Sequence, residues 1–213
     1  MYDPVVEHPM HNNQRQMKEL GQPDRDVRSR GTRHRLRAAF SELVLKHPYE
    51  SLTVRDIARG ANVSRSTFYE HFSGKDGLLA SGLTGLFAVL ADICVIDVRP
   101  AQEIEGTSRL IRLLEHFQDN RRLAREVLAG PARLKASAVL IRLIEARLKA
   151  RARNRPGQLL LPSRLVATQL AGMILAPLTA WLNGECRCNS EALALGLRRA
   201  CVAALQSLCV RSR

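Results

Sequence analysis

Between Thr53 and Lys75 the sequence runs TVRDIARGANVSRSTFYEHFSGK, and no other part of the chain restricts the fold as tightly. Thr53 and Asp56 stand three apart, the spacing of a capping box, in which a hydroxyl and a carboxylate each satisfy a free amide at a helix start. Val54, Ile57 and Ala58 then share one apolar side of that helix. Gly60-Ala61-Asn62 supplies a turn, and asparagine is one of the few residues besides glycine that reach the left-handed region at modest cost. Ser64 is placed to cap a second helix. Phe68 and Phe72, four apart, bury on one side of it and leave Arg65, Ser66, Thr67, Tyr69 and His71 to point elsewhere. Ser73 and Asp76 repeat the capping spacing and predict the start of a third helix.

An ordinary helical hairpin does not need its connection specified so closely. A second helix that enters the major groove of DNA does, because it must be held at a set angle. The stretch therefore predicts a helix-turn-helix that reads DNA. Preceded by the amphipathic segment RHRLRAAFSELVLKHPYESL and followed by SGKDGLL, it resembles the DNA-binding unit of the TetR family of one-component bacterial transcription regulators, from about Arg33 to Leu79. Two positions depart from the family pattern. Asn62 stands where glycine is usual, and Glu70 puts a negative charge on the recognition helix, where it faces away from phosphate or tunes specificity.

Residue by residue, the resemblance implies base contacts from Arg65, Ser66 and Thr67 on the first turn of the recognition helix. Arginine suits a bidentate contact with guanine, and a threonine methyl can touch the methyl of thymine. Phosphate contacts are implied for Thr53, Tyr69, His71 and Lys75, and for Arg33 in the arginine-rich start of the first helix. Such contacts set register and carry little sequence information. Each has a plainer reading beside it: Thr53 and Ser64 are helix caps in any case, and Tyr69 is alternatively a core aromatic with its hydroxyl at the surface.

The formal charge of +13 and a pI near 10.5 suit a nucleic-acid partner, but the charge is not concentrated where that argument wants it. Residues 1–80 hold 13 Lys/Arg against 10 Asp/Glu, whereas residues 81–213 hold 20 against 10. The local run Arg28, Arg30, Arg33, Arg35 and Arg37 is more pointed, since it could lie on phosphates or reach the minor groove. A solvated helix face explains the same run.

No segment shows convincing strand alternation, so the chain is expected to be all-α: a three-helix DNA-binding domain over 28–80 and a helical ligand-binding and dimerisation domain over 81–213. Residues 1–27, with prolines at 4, 9 and 23 and no long apolar face, read as a disordered polar tail without a secretory signal. His8 and His11 in that tail have no companion ligands and are read as solvated rather than metal-binding. The first helix is expected from about Thr32 to Lys46, with Leu36, Ala39, Phe40, Leu43 and Val44 on one stripe. The helix opening near Ser73 continues through GLLASGLTGLFAVLADICVI into the body. Further helices are expected near 107–118, 119–129, 132–153, 163–183 and 189–210.

The last two, SRLVATQLAGMILAPLTAWLNGE and NSEALALGLRRACVAALQSLCV, resemble the C-terminal helix pair that TetR-family subunits contribute to a four-helix homodimer interface, with Ala171, Gly172, Ala176, Ala203 and Ala204 permitting close approach. Leu165 to Gly184 carries no charge and has the length of a membrane span, yet Thr168, Gln169, Pro177, Thr179 and Asn183 interrupt it, so a buried dimer helix is preferred. Of the five cysteines, Cys94, Cys201 and Cys209 read as small core residues. Cys186-Arg187-Cys188 is too close-spaced and too short of ligands for a zinc site; two idle thiols or a redox pair remain. An odd count without a framework fits a reducing cytoplasm.

Nothing resembles a phosphate loop, a nucleophile elbow or a zinc helix, so neither an enzyme nor a cofactor is expected. What the resemblance implies for the body is a small-molecule effector pocket, with Phe87, Leu90, His116, Phe117, Met173 and Trp181 as candidate lining; taken singly, each reads more readily as plain core. With only 4% aromatic residues, a flat aromatic ligand would find few stacking partners. The run from Arg142 to Arg155 attracts an anionic ligand or solvates a long helix. The sequence thus predicts a homodimeric, ligand-responsive repressor on a pseudo-palindromic operator. A DNA-binding dimer governed by a protein partner stands as the alternative, and a helical enzyme or membrane-associated adaptor as one from another class.

Overall fold

The computed structural model describes residues 22–94, 100–154 and 159–209. Among these, nine α-helices and one 3-10 turn carry the fold, as expected for an all-α chain. The first helix, α1 (Gln22–Val44), starts ten residues before the expected Thr32 and takes in the end of the segment read as a tail. Its opening sequence is polar, which hid it. Pro23 falls in the first turn, where proline is tolerated. The rest of the expected tail, His8 and His11 included, lies outside the described residues.

Leu36, Ala39, Phe40 and Val44 of α1 are buried against a 3-10 turn (Tyr49–Ser51), α2 (Val54–Gly60) and α3 (Arg65–His71). Ile57 and Phe68 are fully enclosed at the centre of this small core, and the rings of Phe68 and Phe72 lie 5.9 Å apart. Gly60 sits where α2 crosses α1: an added Cβ would come within 3.3 Å of the Ala39 methyl. Next, α4 (Lys75–Asp92) closes the helix-turn-helix unit with Leu78 and Leu79 and carries on, unbroken, into the body with Leu83, Phe87 and Leu90.

The body holds α5 (Pro100–Asp119), α6 (Arg121–Leu128), α7 (Arg133–Asn154), α8 (Ser163–Asn183) and α9 (Ser190–Leu208); α5 starts seven residues before the expected 107, and the others lie close to the expected spans. Its middle layer runs α4 on α7 and α7 on α8; α9 covers α5 and α8, and α6 bridges α1 to α7 and α8. Gly184, at φ 83°, ends α8 in the left-handed conformation that glycine adopts without a Cβ penalty. Asn189 caps α9 by accepting from the Ala192 amide at 2.8 Å.

One side of α8 is packed, with Val166, Leu170, Ile174, Leu178 and Leu182 fully enclosed. The other shows Leu165, Gln169, Gly172 and Ala176 to the exterior, and α9 likewise shows Leu195, Gly196 and Ala203. Of the five small residues expected at a dimer seam, Ala171 therefore belongs to the subunit's own core instead, and Ala204 is half-buried. Among the described helices α8 alone has the length and apolar composition of a membrane span, with mean hydropathy 1.6; Pro177 stands inside it on the exposed side. Cys94 and Cys201 are buried as core residues, whereas Cys186 and Cys188 are exposed. Contact with the Cys201 thiol and burial together push the Cys94 thiol up.

Candidate nucleic-acid interface

The turn geometry follows the sequence closely. Thr53 Oγ1 accepts from the Asp56 amide at 3.2 Å, and Asp56 Oδ2 accepts from the Thr53 amide at 3.1 Å and from its hydroxyl at 2.6 Å, a complete capping box. Those bonds from Thr53 hold the Asp56 carboxyl below the usual carboxylate range. Asn62 takes φ 52°, the left-handed conformation its place after Gly60-Ala61 requires, and the Val63 amide then returns to the Ala58 carbonyl at 3.0 Å. Ser64 accepts from the Thr67 amide at 3.0 Å and opens α3.

Burying Phe68 and Phe72 turns the opposite side of α3 outward. Arg65, Ser66, Tyr69 and Glu70 are exposed, Thr67 and His71 half-buried. The Tyr69 ring stands edge-on to Phe68 at 5.6 Å and is 52% exposed, so it is a surface group and not a core aromatic. The hydroxyls of Ser66 and Thr67 lie 2.7 Å and 2.9 Å from that of Ser64, a cluster at the helix start in which one group can exchange its bond for a base or a phosphate without moving far. Arg33 is exposed on α1, as are two neighbours in the arginine run that are engaged in surface bonds: Arg37 donates to Ser81 at 2.7 Å and Arg35 to Thr32 at 3.4 Å.

Two sequence expectations change here. Lys75 does not extend from the surface. Its ammonium donates to the carbonyls of Tyr49, Glu50 and Leu52 at 2.9, 3.0 and 3.0 Å and lies 4.7 Å from the Tyr49 ring centre. An ammonium has three protons. All are committed to pinning the 3-10 turn to the start of α4, which leaves none for a phosphate in this arrangement. The Ser73–Asp76 capping box is likewise absent, because α4 begins one residue later, with Gly74 at its N-cap and no side-chain cap. Asp76 instead accepts from the Tyr49 hydroxyl and pairs with Lys135 of α7 at 2.7 Å. Lys135 first, and then Tyr49, hold the Asp76 carboxyl below its ordinary value, while burial and this bond push the Tyr49 hydroxyl up. Tyr49 and Asp76 lie too far apart in sequence for any local pattern to announce the pair.

The candidate effector residues divide. Phe87 and Leu90 are fully enclosed core, Met173 is half-buried, and Trp181 donates through Nε1 to the Cys188 carbonyl at 2.9 Å. His116 and Phe117 meet at a hollow that lies between α1, α4, α5 and α6. Ser41 and Asn120, which sequence reasoning passed over, stand at the same hollow.

Residues 36–81 match the family described as bacterial regulatory proteins, tetR family. A curated relative, the uncharacterized HTH-type transcriptional regulator YxbF of Bacillus subtilis (strain 168), is 34% identical over 70 residues; the match takes in 32% of this chain and only 18% of that relative's length. Among solved structures, a TetR transcriptional regulator from Streptococcus agalactiae 2603V is similar at 24% identity and TM-score 0.53, covering 84% of this chain and 97% of the other. A TetR-family protein from Syntrophomonas wolfei str. Goettingen is similar at 16% identity and TM-score 0.50, with coverage of 80% and 92%. These two likenesses concern the fold.

Proposed function

We propose that this chain, which belongs through its DNA-binding unit to the TetR family of bacterial regulatory proteins and is a DNA-binding transcription regulator, acts as a homodimeric repressor on a pseudo-palindromic operator and releases it in response to a small molecule. The observation that carries the reading is α3: a capped helix, locked by Phe68 and Phe72, with Arg65, Ser66 and Tyr69 turned outward. In this reading Arg65, Ser66 and Thr67 contact bases. Thr53, Tyr69, His71 and Arg33 contact phosphates. Lys75 is a positioning residue, holding the 3-10 turn against α4.

The exposed strip of α8 and α9 supports the dimer. Gly172, Ala176, Gly196 and Ala203, with Leu165 and Leu195 beside them, form a side on which a second copy can approach closely. A two-fold pair presents two recognition helices, so the operator is palindromic for the same reason the dimer is symmetric. Ligand release requires that the effector bind the DNA-free arrangement better, and the coupling is then reciprocal. A transcription regulator of this kind is not an enzyme, and it works in the cytoplasm, where the DNA is.

The test is selection of bound duplexes from a random pool by the full chain at near-physiological salt. The expected result is a two-fold symmetric motif that Arg65→Ala degrades at one base position in each half. Binding that has no motif and vanishes as salt rises would refute the reading.

A further inference from the structure

The hollow at His116 and Phe117 sits at the joint between the DNA-binding unit and the body, with Phe40 and Ser41 of α1 on one side and α4, α5 and α6 on the others. Among the described residues, side-chain ties across this joint include the bond from Arg37 of α1 to Ser81 of α4 at 2.7 Å. Arg122 of α6 donates to the Leu45 carbonyl at the end of α1 at 3.3 Å, and Lys135 pairs with Asp76. The hollow has a volume of about 180 Å³. A cavity of roughly 150 Å³ lined by aliphatic and aromatic side chains is enough to take up benzene.

Chemistry narrows the occupant further. The deep walls are Leu79, Leu83, Phe117 and Leu128, all buried, and no Lys, Arg, Asp or Glu lines the space. An ionised ligand would be stripped of water there and meet no counter-charge. The polar groups stand at the mouth: His116 and Asn120 are exposed, with Asn120 Nδ2 donating to the His116 carbonyl at 3.0 Å and lying 3.4 Å from its Nδ1. Ser41 stands across from them on α1.

We propose that this joint hollow binds a small, uncharged, mainly apolar molecule with one hydrogen-bonding end, seated between α1 and α6, and that its occupancy sets the tilt of the DNA-binding unit against the body. The regulatory consequence rests on the regulator reading above; the site rests on the hollow alone. An occupant that wedges α1 away from α6 binds one tilt better than the other, which is all that is needed to shift the population.

The site is tested with p-cresol as the probe and p-toluate, nearly the same shape but charged at neutral pH, as its counterpart. Titration of the full chain, followed through the ring-proton resonances of His116, is expected to give a saturable shift with p-cresol and binding weaker by about tenfold or more with p-toluate. Gly82 lines the hollow on α4, and an added Cβ there meets nothing within 4 Å, so Gly82→Leu fills the space from an open position. It is expected to weaken p-cresol binding about tenfold or more while the helical content persists. The two-probe comparison on the unaltered chain stands even if that variant folds poorly. No saturable shift at His116, equal binding of both probes, or full binding by a folded Gly82→Leu protein would each overturn the site. With a duplex recovered by selection, p-cresol is expected to change the duplex affinity by threefold or more, on the order of 0.6 kcal/mol. A chain that selects a symmetric duplex but ignores p-cresol refutes the hollow alone. One that binds p-cresol at His116 and selects no duplex supports the hollow and refutes the regulator reading.

Discussion

The DNA-binding unit and the helical body are assembled by different means. In the unit, the starts of α2 and α3 are set by partners three residues away, Thr53 with Asp56 and Ser64 with Thr67, and the turn between them by one left-handed residue, Asn62. The body uses such devices sparingly, at Gly184 and Asn189, and otherwise relies on the packing of α4, α7 and α8 and on ties between distant residues, such as Arg121 to the Leu182 carbonyl at 2.6 Å and Arg147 to Asp92 at 2.8 Å. A surface that must match a rigid duplex needs angles fixed locally. The body is held instead by packing between long helices and by ties that join distant parts of the chain.

The contrast can be broken most forcefully at Phe68, which is fully buried at the centre of the unit. Phe68→Ala is expected to cost about 3–5 kcal/mol and to unfold the unit while the body persists, giving two transitions in calorimetry. A single transition shifted as a whole would mean that unit and body form one cooperative block. Lys75→Met comes next. Three carbonyls lose their shared donor, so about 2 kcal/mol of stability should go, with no change in the slope of duplex affinity against salt. A slope lower by about one would return Lys75 to the phosphate contacts.

Smaller still are the caps, which sharpen the comparison because one can be removed from each region. Thr53→Ala and Asn189→Ala should each cost about 1 kcal/mol in denaturant unfolding, but only Thr53→Ala should also weaken duplex binding. The least effect is expected from acid. Asp76 has a folded-state value lowered by Lys135 and Tyr49, so its contribution is complete above the ordinary carboxylate value of about 3.9 and fades as pH falls through the lower folded value. The tie between α4 and α7 should therefore weaken only in strong acid, and Asp76→Asn should flatten the pH dependence of melting followed by circular dichroism.

The same contrast explains what was legible in the sequence. Thr53, Asp56, Asn62 and Ser64 act on neighbours within a few residues, so their patterns could be read directly, and so could the buried pair Phe68 and Phe72. Body helices were found from their apolar periodicity, yet the side that faces inward was not, because it depends on where α7 and α9 lie; Ala171 went to the core for that reason. Lys75 and Asp76 were misread for a related one. Both sit in a local capping pattern, and both answer instead to Tyr49, which arrives from a different part of the chain. The joint hollow was half visible, through His116 and Phe117, since Phe40 and Ser41 come from a helix that sequence reasoning had assigned wholly to another domain.

One unbroken helix, α4, spans both regions over 18 residues. At 1.5 Å per residue it is a lever about 27 Å long, and a rotation of roughly 5° about its body end displaces the Lys75 end by about 2 Å. In a two-fold pair the displacements of the two arms add or cancel according to direction. Since half-sites recur about 34 Å apart along the duplex, a spread of about 4 Å between the two recognition helices is more than a tenth of the spacing they must match. In the proposed dimer, a few degrees at the joint would therefore decide whether both helices fit one operator, with no change inside either region.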